Sequence, residues 1–182
     1  MTMANRITMS RIVSIPVFAI LVLNYTPERD WIRLVALGLF AASAATDALD
    51  GLVARHWHQK THFGSFLDPL ADKLLINVGF LLLAAKRDLP VTIPDWVTVI
   101  VLGRDIIIVA GVWFISQFHG PLKFEPRILS KITTCFQMAS LLSVMLALGL
   151  SMPLLYATSG ITVLSGADYI LAGSKKISEP AE

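Results

Sequence analysis

The sequence predicts an all-α integral membrane protein, a bundle of six transmembrane helices with its active site at the cytoplasmic side. Three observations carry this. Of the 182 residues, 55% are hydrophobic and only 15% charged, and with a mean hydropathy of +0.68 the chain has too little polar surface to enclose a soluble core. The apolar residues collect in runs of about twenty, the length that crosses a bilayer as a helix. A group of acids between Asp47 and Asp72 lies between two of these runs, where uncompensated carboxylates would be costly.

The apolar runs fall near 10–25, 31–53, 66–86, 94–118, 128–150 and 152–172. The first lacks a small-residue cleavage site, so it reads as a retained span rather than a removed signal peptide. Turn and charge signals separate the runs: Thr26-Pro27-Glu28-Arg29-Asp30, the polar stretch His56 to His62, Lys86-Arg87-Asp88-Leu89-Pro90, and His119-Gly120-Pro121. The fifth break is marked only by Gly149, Ser151 and Pro153, which predicts a tight hairpin between the last two helices. With no repeat, low-complexity tract or long linker, residues 1–182 read as one membrane domain, ending in a short solvated tail after Ser174.

An even number of spans puts both termini on one side. That side collects Arg6, Arg11, Arg55, Lys60, Lys123, Arg127, Lys131, Lys175 and Lys176, against Arg29, Arg33, Lys86 and Arg87 opposite. The positive-inside bias therefore predicts cytoplasmic termini, and places the Asp47–Asp72 stretch where nucleotides are available. A net charge of +2 without a basic run gives no nucleic-acid surface. Cys135, the lone cysteine, excludes an internal disulfide and is expected as a packed core thiol. His56, His58 and His62 lack zinc-site spacing and read as solvated loop residues.

Asp47 and Asp50 are three residues apart on the second run, and Asp68 and Asp72 four apart on the third, so each pair shares a helix face. Two antiparallel helices joined by a short polar loop would bring the acids together. Side by side they stay ionised only when cations neutralise them, and an all-oxygen set suits Mg²⁺ or Mn²⁺ in a two-metal centre. Gly51, Ala54 and Gly64 leave room for a ligand near the backbone, and Arg55 offers a fork for phosphate. The competing explanation is structural salt bridges or the cation path of an ion-coupled transporter.

What favours an enzyme is the full pattern D-x-x-D-G-x-x-A-R-x8-G-x-x-x-D-x-x-x-D, met at Asp47, Asp50, Gly51, Ala54, Arg55, Gly64, Asp68 and Asp72. It resembles the signature of the CDP-alcohol phosphatidyltransferase family, whose members are six-helix membrane proteins of similar size. The resemblance implies transfer of the phosphatidyl group of CDP-diacylglycerol to an alcohol with release of CMP. It also implies metal ligation by Asp47, Asp50 and Asp68, a joint role of Asp72 as ligand and base, nucleotide contacts by Gly51, Arg55 and Thr61, and a homodimer in a bacterial cytoplasmic membrane.

Outside the signature, Asn5, Thr8 and Arg11 followed by Pro16 resemble the N-x-x-T-x-x-R opening of bacterial members. Asn5 and Thr8 are read either as helix caps near the cytidine or as ordinary capping residues of a basic membrane anchor. Arg104–Asp105 is read as a structural pair, or Arg104 joins Arg127 and Lys131 in a cationic pocket for the acceptor's phosphate, the reading preferred here. The stretch from Pro126 to Gln137 is similar to the P-S-x-x-G-K-x-x-T-x-x-Q region of phosphatidylglycerophosphate synthases, with Ser130 where glycine is usual. Gly103-Arg104-Asp105 and Leu129-Ser130-Lys131 are also similar to the cardiolipin synthases of the family. The expected acceptor is accordingly sn-glycerol 3-phosphate, with phosphatidylglycerol as the alternative.

Overall fold

The computed structural model describes residues 3–57, 64–119 and 128–178, and side-chain surroundings for 13–46, 73–111 and 128–172. Six α-helices stand where the six apolar runs predict them: α1 (Met3–Leu23), α2 (Trp31–Trp57), α3 (Gly64–Ala85), α4 (Asp95–His119), α5 (Ile128–Met145) and α6 (Ser151–Ser178). A single 3₁₀ turn, Pro27–Arg29, joins α1 to α2, and no strand occurs among the described residues. Among these residues two stretches, Ile128–Met145 and Ser151–Ala172, are long and apolar enough to cross a membrane by themselves. Shorter apolar stretches occupy Val13–Leu23, Trp31–Thr46 and Lys73–Ala85.

The helices sort into two units. The first comprises α1, α2, α3 and residues 141–149. Its centre is aromatic and aliphatic: Phe18, Phe40, Ile76, Phe80 and Leu141 are all essentially inaccessible. Phe18 of α1 meets Phe40 of α2 in a tilted contact with ring centroids 5.8 Å apart, a geometry that suits two ring quadrupoles. Gly79 makes room for Leu141, since a Cβ there would lie 3.0 Å from Leu141 Cδ1, whereas Phe40 Cε2 at 3.8 Å would be in ordinary contact.

Charged side chains close the helix ends of this unit. Lys86 Nζ donates to the carbonyl of Leu23 (3.1 Å) at the end of α1, where unsatisfied carbonyls favour a cation. Arg33 donates to Asp30 through Nε (2.8 Å) and Nη2 (2.7 Å), and through Nη1 to the carbonyl of Met145 in the last turn of α5. The hydrogen bonds from Arg33 hold the Asp30 carboxyl below its ordinary range.

The fifth helix stops at Met145, short of the expected end near 150. Ala147 adopts φ 54°, its N–H donates to Val144 O (3.0 Å), and Leu148 N–H donates to Ser143 O (3.0 Å). This is a Schellman terminus built on an alanine, so the chain turns two residues before the glycine that marked the break.

The second unit holds α4, residues 128–140 of α5, and α6. Ser140 Oγ and Thr158 Oγ1 lie 2.7 Å apart, and Thr158 also donates to Phe136 O (3.2 Å), so α5 and α6 are joined by buried hydroxyls. Trp96 of α4 stacks on Tyr156 of α6, centroids 5.7 Å apart and 8° from parallel. Cys135, expected in the core, is exposed instead. The buried face of α5 runs through Thr133, Gln137, Ser140 and Val144, and position 135 lies off it. An apolar helix in lipid need not hide its apolar residues in protein.

Candidate active site

The signature residues are distributed over one end of each of two consecutive helices. Asp47, Asp50, Gly51, Ala54 and Arg55 belong to the later turns of α2, and Gly64, Asp68 and Asp72 to the first turns of α3. For these positions the backbone alone is described, and it fixes their register. Phe40 of α2 and Gly79 of α3 serve as reference positions, since a Cβ at Gly79 would lie at ordinary van der Waals distance, 3.8 Å, from Phe40 Cε2. Asp47 follows Phe40 by seven residues and Asp72 precedes Gly79 by seven, which is two helical turns, or about 10.5 Å of rise, on nearly the same face. Gly51 and Asp68 lie eleven residues from the same two anchors, about three turns away and again near that face. Asp47 and Asp72 thus stand equally far along their helices from Phe40 and Gly79.

At the amino terminus α1 begins at Met3, so Asn5 and Thr8 lie within its first turns. This corrects the expectation that they cap the helix. A cap must precede the first helical residue to offer its side chain to the free backbone donors. Thr61 and Arg127 lie outside the described residues.

The second unit contains a polar centre around Arg104. This arginine and its neighbour Asp105 are both about 4% exposed. Nη1 donates to Asp105 Oδ1 (2.8 Å), while Nη2 donates to Ser130 Oγ of α5 (2.9 Å) and to Ser165 Oγ of α6 (2.6 Å). Arg104 therefore ties α4 to both other helices of its unit, and the buried charge is paired, as a low-dielectric setting requires. Nε is buried and has no hydrogen-bond partner among the described residues. Lys131, next to Ser130, is exposed. Sequence reasoning did not single out Ser165. Its only local signal is the period of small polar residues Thr158, Thr162 and Ser165, all buried on α6.

Among the described residues, six helices without a strand, two of them long and apolar enough to cross a membrane, accompany a polar centre between helices and a spaced acidic signature, the features of an α-helical membrane-associated class. The chain belongs to the CDP-alcohol phosphatidyltransferase family, whose sequence profile matches residues 1–164. It is 34% identical over 153 residues to a cardiolipin synthase (CMP-forming) of Rattus norvegicus, covering 75% of this chain and 47% of that protein. It is 41% identical over 111 residues to a CDP-diacylglycerol--glycerol-3-phosphate 3-phosphatidyltransferase of Pseudomonas fluorescens, covering 60% and 54%. The matches thus span about half the length of these two relatives. Similarity to the enzyme of the same name from Yersinia enterocolitica is 32% over 183 residues and covers 96% of each chain.

Proposed function

We propose that this protein transfers the phosphatidyl group of CDP-diacylglycerol to sn-glycerol 3-phosphate, forming phosphatidylglycerophosphate and CMP. The observation that carries the reading is the eight-position signature from Asp47 to Asp72, borne on the later turns of α2 and the first turns of α3. Membership of a phosphatidyltransferase family supports it and sets aside the ion-coupled transporter.

The family generally uses divalent metal ions, and the donor set fits such an ion because four carboxylates offer hard oxygen ligands and the charge to balance two cations. Asp47, Asp50, Asp68 and Asp72 would hold Mg²⁺ or Mn²⁺, which when bound supplies Lewis-acid stabilisation to the pyrophosphate. The chain's own residues do the rest. Gly51, Ala54 and Gly64 admit the nucleotide close to the backbone, Arg55 and Thr61 contact it, and Asn5 and Thr8 line its cytidine side. Asp72 takes the proton of the acceptor hydroxyl. That oxygen attacks the phosphorus bearing the diacylglycerol, the bond to the bridging pyrophosphate oxygen breaks, and CMP leaves with the electron pair. Arg104, Arg127, Ser130 and Lys131 receive the acceptor's phosphate. The protein functions as one domain over residues 1–182, as a homodimer in a bacterial cytoplasmic membrane, with both termini and the active site on the cytoplasmic side.

A second acceptor, phosphatidylglycerol, has its own support: Ser130, which stands where glycine is usual in the similar synthase pattern, accepts a hydrogen bond from Arg104. Incubating the purified protein with Mg²⁺, labelled CDP-diacylglycerol and each acceptor separately distinguishes the two. Labelled phosphatidylglycerophosphate is expected with glycerol 3-phosphate. Labelled cardiolipin with phosphatidylglycerol alone would replace this acceptor by the second one.

A further inference from the structure

We propose that Ser130 and Ser165 are specificity-determining residues for the acceptor, acting by occupying one nitrogen of Arg104. The proposal rests on the reading that Arg104 and Lys131 receive the acceptor's phosphate. A guanidinium has five N–H donors in a planar array. Nη2 spends both of its donors on serine hydroxyls, Ser130 Oγ at 2.9 Å and Ser165 Oγ at 2.6 Å. Nη1 spends one on Asp105. Recognition of a phosphate by two parallel hydrogen bonds needs an adjacent pair of N–H groups. The guanidinium has two such pairs, Nε with Nη2 and Nη1 with Nη2, and both include Nη2. Arg104 held between the serines therefore offers single donors rather than a fork.

The two candidate acceptor classes respond differently to that restriction. A phosphomonoester presents three terminal oxygens and close to two negative charges, and gains most from a fork. A phosphodiester presents two non-bridging oxygens and one charge, and loses less when the fork is closed. The serine pair thus withholds from glycerol 3-phosphate, the proposed acceptor, part of the advantage that its second charge would give it over a phosphodiester. Ser130 is the side chain that a glycine at this position would not supply.

Full-length Ser130→Gly, Ser165→Ala and Ser165→Thr, each first checked for a monodisperse detergent-solubilised state, are assayed with Mg²⁺ and CDP-diacylglycerol. The acceptors are glycerol 3-phosphate and phosphatidylglycerol, and kcat/KM is read for each. Both hydroxyl-less variants should raise the ratio of glycerol 3-phosphate to phosphatidylglycerol efficiency about tenfold, as one regained charge-assisted hydrogen bond would. The change should appear in the acceptor KM while the KM for CDP-diacylglycerol stays put. Ser165→Thr, which keeps a hydroxyl, should retain the wild-type ratio. An unchanged ratio in both hydroxyl-less variants, or failure of both to fold, overturns the proposal. Arg104→Gln and Lys131→Ala separate the two levels of argument. If neither alters any acceptor KM, the acceptor pocket itself is misplaced; if both raise it while the serine variants leave the ratio unchanged, only the role of the serines fails.

Discussion

Replacing Asp105 by leucine should destabilise the protein out of proportion to the size of the change. The Arg104 and Asp105 side chains are 3% and 6% exposed and 2.8 Å apart, so the substitution strands a buried guanidinium without its carboxylate. Breaking one side of such a pair costs about 3–5 kcal/mol. The two serine hydroxyls remain, but hydrogen bonds between membrane helices contribute only about 0.6 kcal/mol each on average, too little to stand in for the charge. A loss of about 3 kcal/mol corresponds to a midpoint lower by roughly 6–12 °C for a chain of this size. Thermal unfolding of detergent-solubilised protein, followed by tryptophan fluorescence, measures it. The double variant Arg104→Met/Asp105→Leu removes both charges and should regain most of the lost midpoint, because a buried pair is often replaceable by apolar side chains. A single variant as stable as wild type, or a double variant no better than the single, would refute the argument.

Gly79→Leu should push α3 away from Leu141 of α5, since even a Cβ meets Leu141 Cδ1 at 3.0 Å. Overpacking of this kind costs about 1–3 kcal/mol, and turnover should fall with the thermal midpoint although no signature residue is touched. Ala147→Gly should raise the midpoint, because an alanine at φ 54° carries a left-handed penalty of about 1 kcal/mol that glycine avoids. Asp47→Asn, Asp50→Asn and Asp68→Asn should each raise the Mg²⁺ concentration needed for half-maximal CMP release, since each removes a charged oxygen ligand. Near-normal activity of all three at limiting Mg²⁺ would remove the two-metal assignment.

The helix count and the location of the acids were legible because both are written locally: apolar runs of membrane length, and carboxylates at three- and four-residue spacing between Asp47 and Asp72. The Gly79–Leu141 contact was not, because it joins residues far apart in sequence and Gly79 looks like any helical glycine until Leu141 is placed beside it. Ser165 was missed for a related reason. Nothing nearby distinguishes it from Ser159, which bonds back to Leu155 O in its own helix, whereas Ser165 accepts from Arg104 sixty-one residues away. Cys135 was misjudged because in a chain apolar on most faces the hydrophobic period no longer separates protein-facing from outward-facing positions. The end of α5 escaped because glycine is the usual left-handed terminator and this helix uses Ala147.

The assignment of Asp72 as both metal ligand and base is tested most directly by CMP release from CDP-diacylglycerol by wild type and Asp72→Asn, side by side across a range of Mg²⁺. Wild type should release CMP in step with the new phospholipid. The variant, which keeps the shape of the side chain but not its basicity, should still bind CDP-diacylglycerol, while its turnover falls by about two orders of magnitude or more, and excess Mg²⁺ should not restore it. Full recovery at high Mg²⁺ would show that Asp72 is a ligand alone, and absence of CMP from wild type with either acceptor would contradict the assigned reaction itself.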